Sequence, residues 1–302
     1  MKIKKRTLKL VVLALLLLAS ADSLNYYLNR DKDAYRVTGD RFHYSGNRSP
    51  PKYKLSFFNS TGEVDIFAVN FESRKFLSHD ARVYGLLFMP KNMEKVPGII
   101  LLPGGGVDKQ GEAHLASTIA GWGYAVLTID QRGVGETGGP YVYMQQDSEI
   151  FSSGKEPLLH LSVYDALRAF DVLKEMKNVD RNSIAVAGES MGGRYAMIAA
   201  ALDKRFKGAV IISSSGFHVP KESGNPFLLS IDPDNYIADI FPRQLFMLHG
   251  TNDTIVPLDG AELTFSLAKE PKRFFPAEGC GHGYCSAMDE ELKEDLRVLF
   301  GK

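Results

Sequence analysis

Ser183-Ile-Ala-Val-Ala-Gly188-Glu189-Ser190-Met191-Gly192-Gly193-Arg-Tyr-Ala-Met-Ile-Ala-Ala-Ala201 is the stretch on which the fold turns. An apolar, β-branched run leads into G-x-S-x-G, and a run of small residues at helical length follows. A serine between a strand and a helix sits on a sharp turn that projects its hydroxyl away from the sheet. Glycines on either side let the backbone fold tightly and let the helix approach the strand. That context makes Ser190 a candidate nucleophile.

Strands and helices alternate outward from this point. Val96–Leu102 is a continuous apolar run of the kind buried on both faces of a parallel sheet. Helix is predicted for 112–121, strand for 124–130, helix for 158–177, strand for 183–187 and helix for 191–202. Strands at 209–212 and 245–248, a helix at 258–268, a strand at 272–276 and a closing helix at 289–300 complete the series. Such alternation implies a mainly parallel sheet with right-handed crossovers, whose sites form at the carboxyl ends of the strands. Ahead of it, Tyr53–Phe58, Val64–Phe71 and Val83–Met89 read as an antiparallel meander, with Val64, Ile66, Ala68 and Asn70 on one face of the middle strand. The interval 213–243 breaks the alternation with Gly216, Pro220, Gly224, Pro226, Pro233 and Pro242, and is read as a small cap or lid.

The 302-residue chain has formal net charge zero and no low-complexity tract, so composition favours neither a nucleic-acid partner nor a disordered tail. Residues 1–21 are a separate unit. Lys2, Lys4, Lys5, Arg6 and Lys9 precede the apolar run Leu10–Ala19, and Ala19-Ser20-Ala21 follows as an A-x-A cleavage site. This is the layout of a secretory signal peptide; the run is shorter than the roughly 20 residues a spanning helix needs. Cleavage, or retention as an N-terminal membrane anchor, puts the body of the protein outside the cytoplasm. Residues 22–52 read as a polar extension or linker, and 53–302 as the catalytic domain. The two cysteines, Cys280 and Cys285, are candidates for a short disulfide in an oxidising compartment. With His282 they would supply too few ligands for a metal centre, so no metal is expected.

Ser190 needs a base and an orienting carboxylate. Of seven histidines, His282 lies in the glycine-rich loop Gly279-Cys-Gly-His-Gly283 after the last strand, where a base can reach a strand-end serine. His249, at the end of its own strand, reads as structural. Asp253 lies between serine and histidine in chain order, in the strand-end loop His249-Gly-Thr-Asn-Asp253. Asp239, in the cap, and Asp259, in the following helix, are its competitors. The developing oxyanion requires donors already in place. Pro103-Gly104-Gly105-Gly106 follows a strand and frees backbone N–H groups; that of Gly105 or Gly106 pairs naturally with that of Met191. No Gly-Lys-Ser/Thr follows, so the run is not a phosphate loop.

These residues together resemble the α/β-hydrolase superfamily. Pro103–Gly106, Asp130-Gln-Arg-Gly-Val-Gly-Glu-Thr-Gly138, Gly188–Gly193, His249–Asp253 and Gly281-His282-Gly283 stand in the superfamily's order over roughly residues 55–300. Thr137 stands where serine is usual, and Pro103-Gly104 where His-Gly is usual. The resemblance is to the dienelactone-hydrolase-like and serine-aminopeptidase-like subgroups, which have small caps. It implies an α/β-hydrolase fold: a mainly parallel sheet flanked by helices, with an antiparallel N-terminal meander and a small cap. It implies hydrolysis of a carboxylic ester through an acyl-enzyme on Ser190, without a cofactor. The alternatives are a peptidase, amidase or thioesterase with the same triad, and a non-catalytic binding protein on the same fold. The expected partner is a small-molecule ester or peptide substrate. The cap and the loop Tyr141–Lys155 are expected to line its pockets.

Overall fold

The computed structural model describes residues 35–79 and 82–302. The segment 1–21, read as a signal peptide or anchor, and residues 22–34 of the extension lie outside the described residues. No helix among the described residues is long and apolar enough to cross a membrane. The described residues divide into two compact units, one of Tyr35 and Arg36 with His43–Ser49 and one of Val37–Phe42 with the rest from Pro50 to Lys302. Within the stretch read as a polar linker, β1 (Tyr35–Thr38) and β2 (Arg41–Tyr44) pair as a two-stranded sheet. In the first unit the rings of Tyr35 and Tyr44 lie 5.5 Å apart.

The larger unit is built on a nine-stranded sheet. Its strands are β3 (Tyr53–Thr61), β4 (Val64–Glu72), β5 (Arg82–Pro90), β6 (Val96–Leu102), β7 (Ala125–Ile129), β8 (Val179–Glu189), β9 (Gly208–Ile212), β10 (Gln244–Gly250) and β11 (Lys272–Ala277). Their spatial order is β11-β10-β9-β8-β6-β7-β5-β4-β3. The pairs from β7 through β6 to β11 are parallel, while β3, β4 and β5 form the antiparallel meander that joins at β7. This is the α/β-hydrolase architecture, with the expected antiparallel start. From β6 the chain turns first to β7 on one side and then to β8 on the other. That reversal opens a crevice at the carboxyl ends of β6 and β8.

Seven helices are described: α1 (Ala113–Gly121), α2 (Met144–Ser152), α3 (Leu158–Glu175), α4 (Met191–Leu202), α5 (Pro226–Ile231), α6 (Leu258–Leu267) and α7 (Asp289–Phe300). Leu115, Ile119, Leu292, Leu296 and Leu299 of α1 and α7 form one buried cluster with Ile99, Leu101, Val126 and Leu248. On the other face α3 and α4 bury Val163, Leu167, Phe170, Met197 and Ile198. Each fully buried aliphatic or aromatic side chain contributes about 1.5–3 kcal/mol. The middle meander strand does not keep one buried face. Val64 and Ile66 are buried, then Val69 and Phe71, which alternate in the opposite phase. Its pairing with β5 is uninterrupted, so the change comes from what covers each half rather than from a register slip. Val64 and Ile66 join the cluster beneath α1.

Helix α2 falls inside the stretch read as a loop. Its sequence carries no apolar stripe, and Asp147 is its only buried residue. The Asp147 carboxylate accepts the N–H groups of Leu158 (2.6 Å) and Leu159 (2.9 Å), capping α3. The interval 213–243 is a compact cap. Phe227, Ile231, Tyr236, Ile237 and Ile240 are buried in it. Asp232 accepts N–H groups from Phe217, Val219 and Asp234, and the Tyr236 hydroxyl donates to Ser230 O at 2.7 Å.

Candidate active site

Ser190 ends β8 and opens α4 with φ 52° and ψ −117°. A non-glycine residue held there is strained, and such strain persists only where the surroundings over-determine it. The surroundings do so. Ser190 N–H donates to Ile212 O at 3.0 Å, and the Ser214 hydroxyl donates to Ser190 O at 2.6 Å. A Cβ at Gly188 would run into Gly192 O, and one at Gly192 into Leu102 O. Both motif glycines are therefore required by close backbone approach.

The other expected residues converge on this serine. His282 Nε2 lies 2.9 Å from Ser190 Oγ, and His282 Nδ1 lies 2.8 Å from Asp253 Oδ2 and 3.1 Å from Oδ1. The Asp253 side chain is wholly buried. Burial alone would raise its pKa. Donation from Val256 N–H, His282 and Ile255 N–H outweighs burial and holds the carboxyl below its ordinary value. The competitors lie elsewhere: Asp239 pairs with Arg41 at 2.5 Å, and Asp259 accepts its neighbour Gly260 N–H at 2.8 Å. His249 is buried behind the acid, its Nε2 2.8 Å from Val256 O and 3.4 Å from Asp253 Oδ2; burial lowers its pKa.

The acid and base loops are laced together. Asn252 N–H donates to Cys280 O at 2.9 Å, and Gly279 N–H to Thr251 Oγ at 3.0 Å. Gly250 must be glycine, because a Cβ there would run into the carbonyls of Cys280 and Gly281. Cys280 and Cys285 are joined by a disulfide that brackets His282.

The β6 turn lies against the nucleophile. A Cβ at Gly104 would stand 3.6 Å from Ser190 Cβ, and one at Gly105 3.7 Å from Met191 Cβ. Gly106, at φ 74°, faces open space. Of the two glycines expected to donate, Gly105 is the one whose backbone lies against Met191. Gln131 holds the turn from behind, its Nε2 donating to Pro103 O (2.7 Å) and Gly104 O (3.1 Å). Sequence reasoning missed Gln131 as a site residue. Its position in Asp130–Gly138 was the available signal. Asp130 anchors that loop by accepting Lys109 N–H, Glu136 N–H and Thr137 N–H, and by pairing with the buried Lys109 ammonium at 3.0 Å. Arg194, one turn into α4, donates to Ser215 O and lies over the Phe217 ring at 4.1 Å, tying the nucleophile helix to the cap. No group of acidic, histidine or cysteine side chains suited to a metal ion occurs among the described residues.

Comparisons with known proteins agree with this architecture. The putative hydrolase YtaP of Bacillus subtilis (strain 168) is 29% identical over 197 residues, 59% of this chain and 62% of that protein. The uncharacterized protein YfhR of Escherichia coli (strain K12) is 31% identical over 122 residues, 36% of this chain and 41% of its own. The chain thus spans less than two thirds of the length of either relative. Acetyl xylan esterase 1 from Thermoanaerobacterium superposes with TM-score 0.68 at 17% identity, covering 83% of this chain and 88% of that one. A glucuronoyl esterase from Solibacter usitatus superposes with TM-score 0.66 at 17% identity, covering 91% of each chain. At such identities these structures speak to the fold alone. The acetyl xylan esterase (AXE1) family model matches residues 48–214, from ahead of the meander to beyond the Ser190 turn, and the chain belongs to that family.

Proposed function

We propose that this protein hydrolyses carboxylic esters through an acyl-enzyme on Ser190. The observation that carries the reading is the unbroken hydrogen-bonded line from Ser190 Oγ through His282 to buried Asp253, with the glycine turn after β6 packed against Ser190 and Met191. In this mechanism His282 Nε2 takes the hydroxyl proton as Oγ attacks the acyl carbon. Gly105 and Met191 N–H stabilise the oxyanion. The imidazolium returns the proton to the leaving alkoxide, and water repeats the sequence to release the acid. Asp253 holds His282 in the tautomer with the proton on Nδ1 and stabilises the imidazolium. Every step uses protein groups and water, so no cofactor is invoked.

The substrate class suggested by the family is an acylated carbohydrate such as acetyl xylan. The N-terminal segment, with its basic head and apolar run, supports a site of action outside the cytoplasm. A serine-reactive fluorophosphonate probe tests the chemistry. Labelling of the wild type that is lost in Ser190→Ala supports it. A folded wild type that never labels leaves a non-catalytic binding protein. p-Nitrophenyl esters of graded chain length, run beside aminoacyl-anilides, separate an esterase from a peptidase.

A further inference from the structure

His249 adjoins the triad, and the mechanism does not use it. It stands near the end of β10, opposite Pro276 of β11, with its side chain 1% exposed. Packing alone does not require an imidazole there. Nδ1 is buried without a hydrogen-bond partner among the described residues, a cost that an apolar side chain of similar size would avoid. The other ring nitrogen accounts for the choice. Nε2 lies 2.8 Å from Val256 O, and a carbonyl only accepts, so Nε2 carries the proton. The same N–H stands 3.4 Å from Asp253 Oδ2, the oxygen nearer to His282 Nδ1. Asp253 Oδ1 in turn accepts Ile255 N–H and Val256 N–H, each at 2.9 Å. Val256 is therefore held at both ends, its N–H by the acid and its carbonyl by His249. We propose that His249 is a positioning residue: its Nε2–H fixes the turn Asp253–Val256 to β10, and with it the plane of the carboxylate that Asp253 presents to His282.

The surrounding contacts support the assignment. A turn that closes on its own aspartate ties the backbone to the acid but not the acid to the sheet. Thr254 and Ile255 are exposed and give the turn little packing. Other ties lie ahead of the acid side chain: Asp253 N–H donates to Gly250 O at 3.2 Å, and Asn252 N–H to Cys280 O at 2.9 Å. The base loop has holds of its own in the Cys280–Cys285 disulfide and in Glu189, which accepts Tyr284 N–H at 2.8 Å. His249, rooted in a strand paired on both sides, supplies the fixed point beyond the acid. Burial holds its pKa below the ordinary value, which keeps the ring neutral behind the carboxylate.

The inference rests on the hydrolase reading for its kinetic consequence. A displaced carboxylate tilts His282 away from Ser190 Oγ, so the loss falls on kcat rather than on KM. His249→Asn, whose amide stops at the position of Nδ1, is expected to lower kcat on p-nitrophenyl acetate by about 10- to 100-fold, with KM within about twofold. His249→Gln, whose amide reaches the position of Nε2, is expected to recover kcat to within about threefold of wild type. Because His249 acts through Asp253, His249→Asn should cost less than about threefold once Asp253→Asn is already in place. A purely structural His249 would lower kcat by the same factor in both backgrounds. Equal losses in the two backgrounds, wild-type kcat in His249→Asn, or a Gln variant no better than the Asn variant overturns the proposal. If His249→Asn does not fold, His249→Phe, which fills the ring's volume without a donor, is judged by the same criteria. Failure of both to fold makes His249 a folding residue and overturns the proposal as well.

A second measurement needs no catalysis. The His282 Nδ1 proton, hydrogen-bonded to a buried carboxylate, gives a proton NMR signal at low field. That signal is expected to stay in place in His249→Gln and to shift or broaden in His249→Asn. An unchanged signal in His249→Asn overturns the positioning role. Failure of the wild type to label with fluorophosphonate overturns the hydrolase reading instead, while the NMR comparison still judges His249.

Discussion

Two aspartate–histidine pairs of nearly equal geometry stand out among the described residues, and their second ring nitrogens face different surroundings. His282 Nδ1 stands 2.8 Å from Asp253, and His218 Nδ1 stands 2.7 Å from Asp234. In the first pair the far nitrogen meets Ser190 Oγ at 2.9 Å. In the second, Nε2 is buried without a hydrogen-bond partner among the described residues, close to Gly260 of α6. The carboxylates also titrate in opposite directions. Asp253 is held below its ordinary value by backbone and imidazole donors, against the effect of burial. Asp234 is raised by burial and by neighbouring Asp232. An aspartate–histidine pair is thus not a catalytic signature. What faces the second ring nitrogen distinguishes the two, and the second pair lies in the cap.

The largest test of this contrast is removal of each histidine. His282→Ala is expected to lower kcat on a p-nitrophenyl ester by on the order of 10⁴- to 10⁶-fold. His218→Ala should stay near wild type; a loss comparable to that of His282→Ala would erase the distinction. Next in size is Asp253→Asn, which presents the wrong tautomer to Ser190 and should cost about 10⁴-fold in kcat. Asp234→Asn should leave kcat close to wild type, so steady-state kinetics on the two variants sharpens the same comparison.

A smaller effect attaches to the staple that the His282 loop has and the cap pair lacks. The Cys280–Cys285 bridge closes a loop of sequence separation 5. Loop-closure entropy makes such a bridge worth about 2 kcal/mol. Reduction should lower Tm by roughly 3 °C, since unfolding entropy grows with chain length. It should also lower activity by loosening His282. Unchanged activity in a Cys280→Ser, Cys285→Ser double variant would show that hydrogen bonds alone hold the loop.

The smallest effect is the pH dependence of stability, which should run in opposite directions for the two acids. Asp253, depressed below 3.8, contributes stability that is present above 3.8 and lost as pH falls through its folded value. Asp234, raised above 3.8, contributes stability that is present below 3.8 and lost as pH rises through its folded value. Tm differences between wild type and each Asp→Asn variant, followed from acid to neutral pH, should therefore slope oppositely. Parallel slopes would contradict the contrast.

The legibility of the chain follows the range of the interactions involved. Strands such as Val96–Leu102 were readable because burial on both faces demands an unbroken apolar run, and α4 because small residues must pack against β8 and β9. Helix α2 was not, because its polar residues leave no periodic stripe and it is tied down through Asp147 to α3. The opposed buried halves of β4 were equally hidden, since alternation records a strand's two faces but not what covers each half. In the site, Ser190, Asp253 and His282 stood out by local context and chain order. Gln131 and Glu189 did not, because their hydrogen bonds go to backbone groups of distant segments.

The sequence by itself determined the alternating strand and helix order, the sharp turn at Ser190 and the chain positions from which an acid and a base would come. Each follows from local sterics, from hydrophobic periodicity or from the identity of single residues. Only the tertiary structure decided that a second aspartate–histidine pair forms in the cap with its Nε2 buried, that the Gly105 backbone lies against Met191, and that Glu189 holds the loop carrying His282. Those outcomes depend on strand order, on the reversal at β6 and on the close approach of loops after β6, β8, β10 and β11. Contacts between segments far apart in the chain leave no periodic trace in the residues that make them.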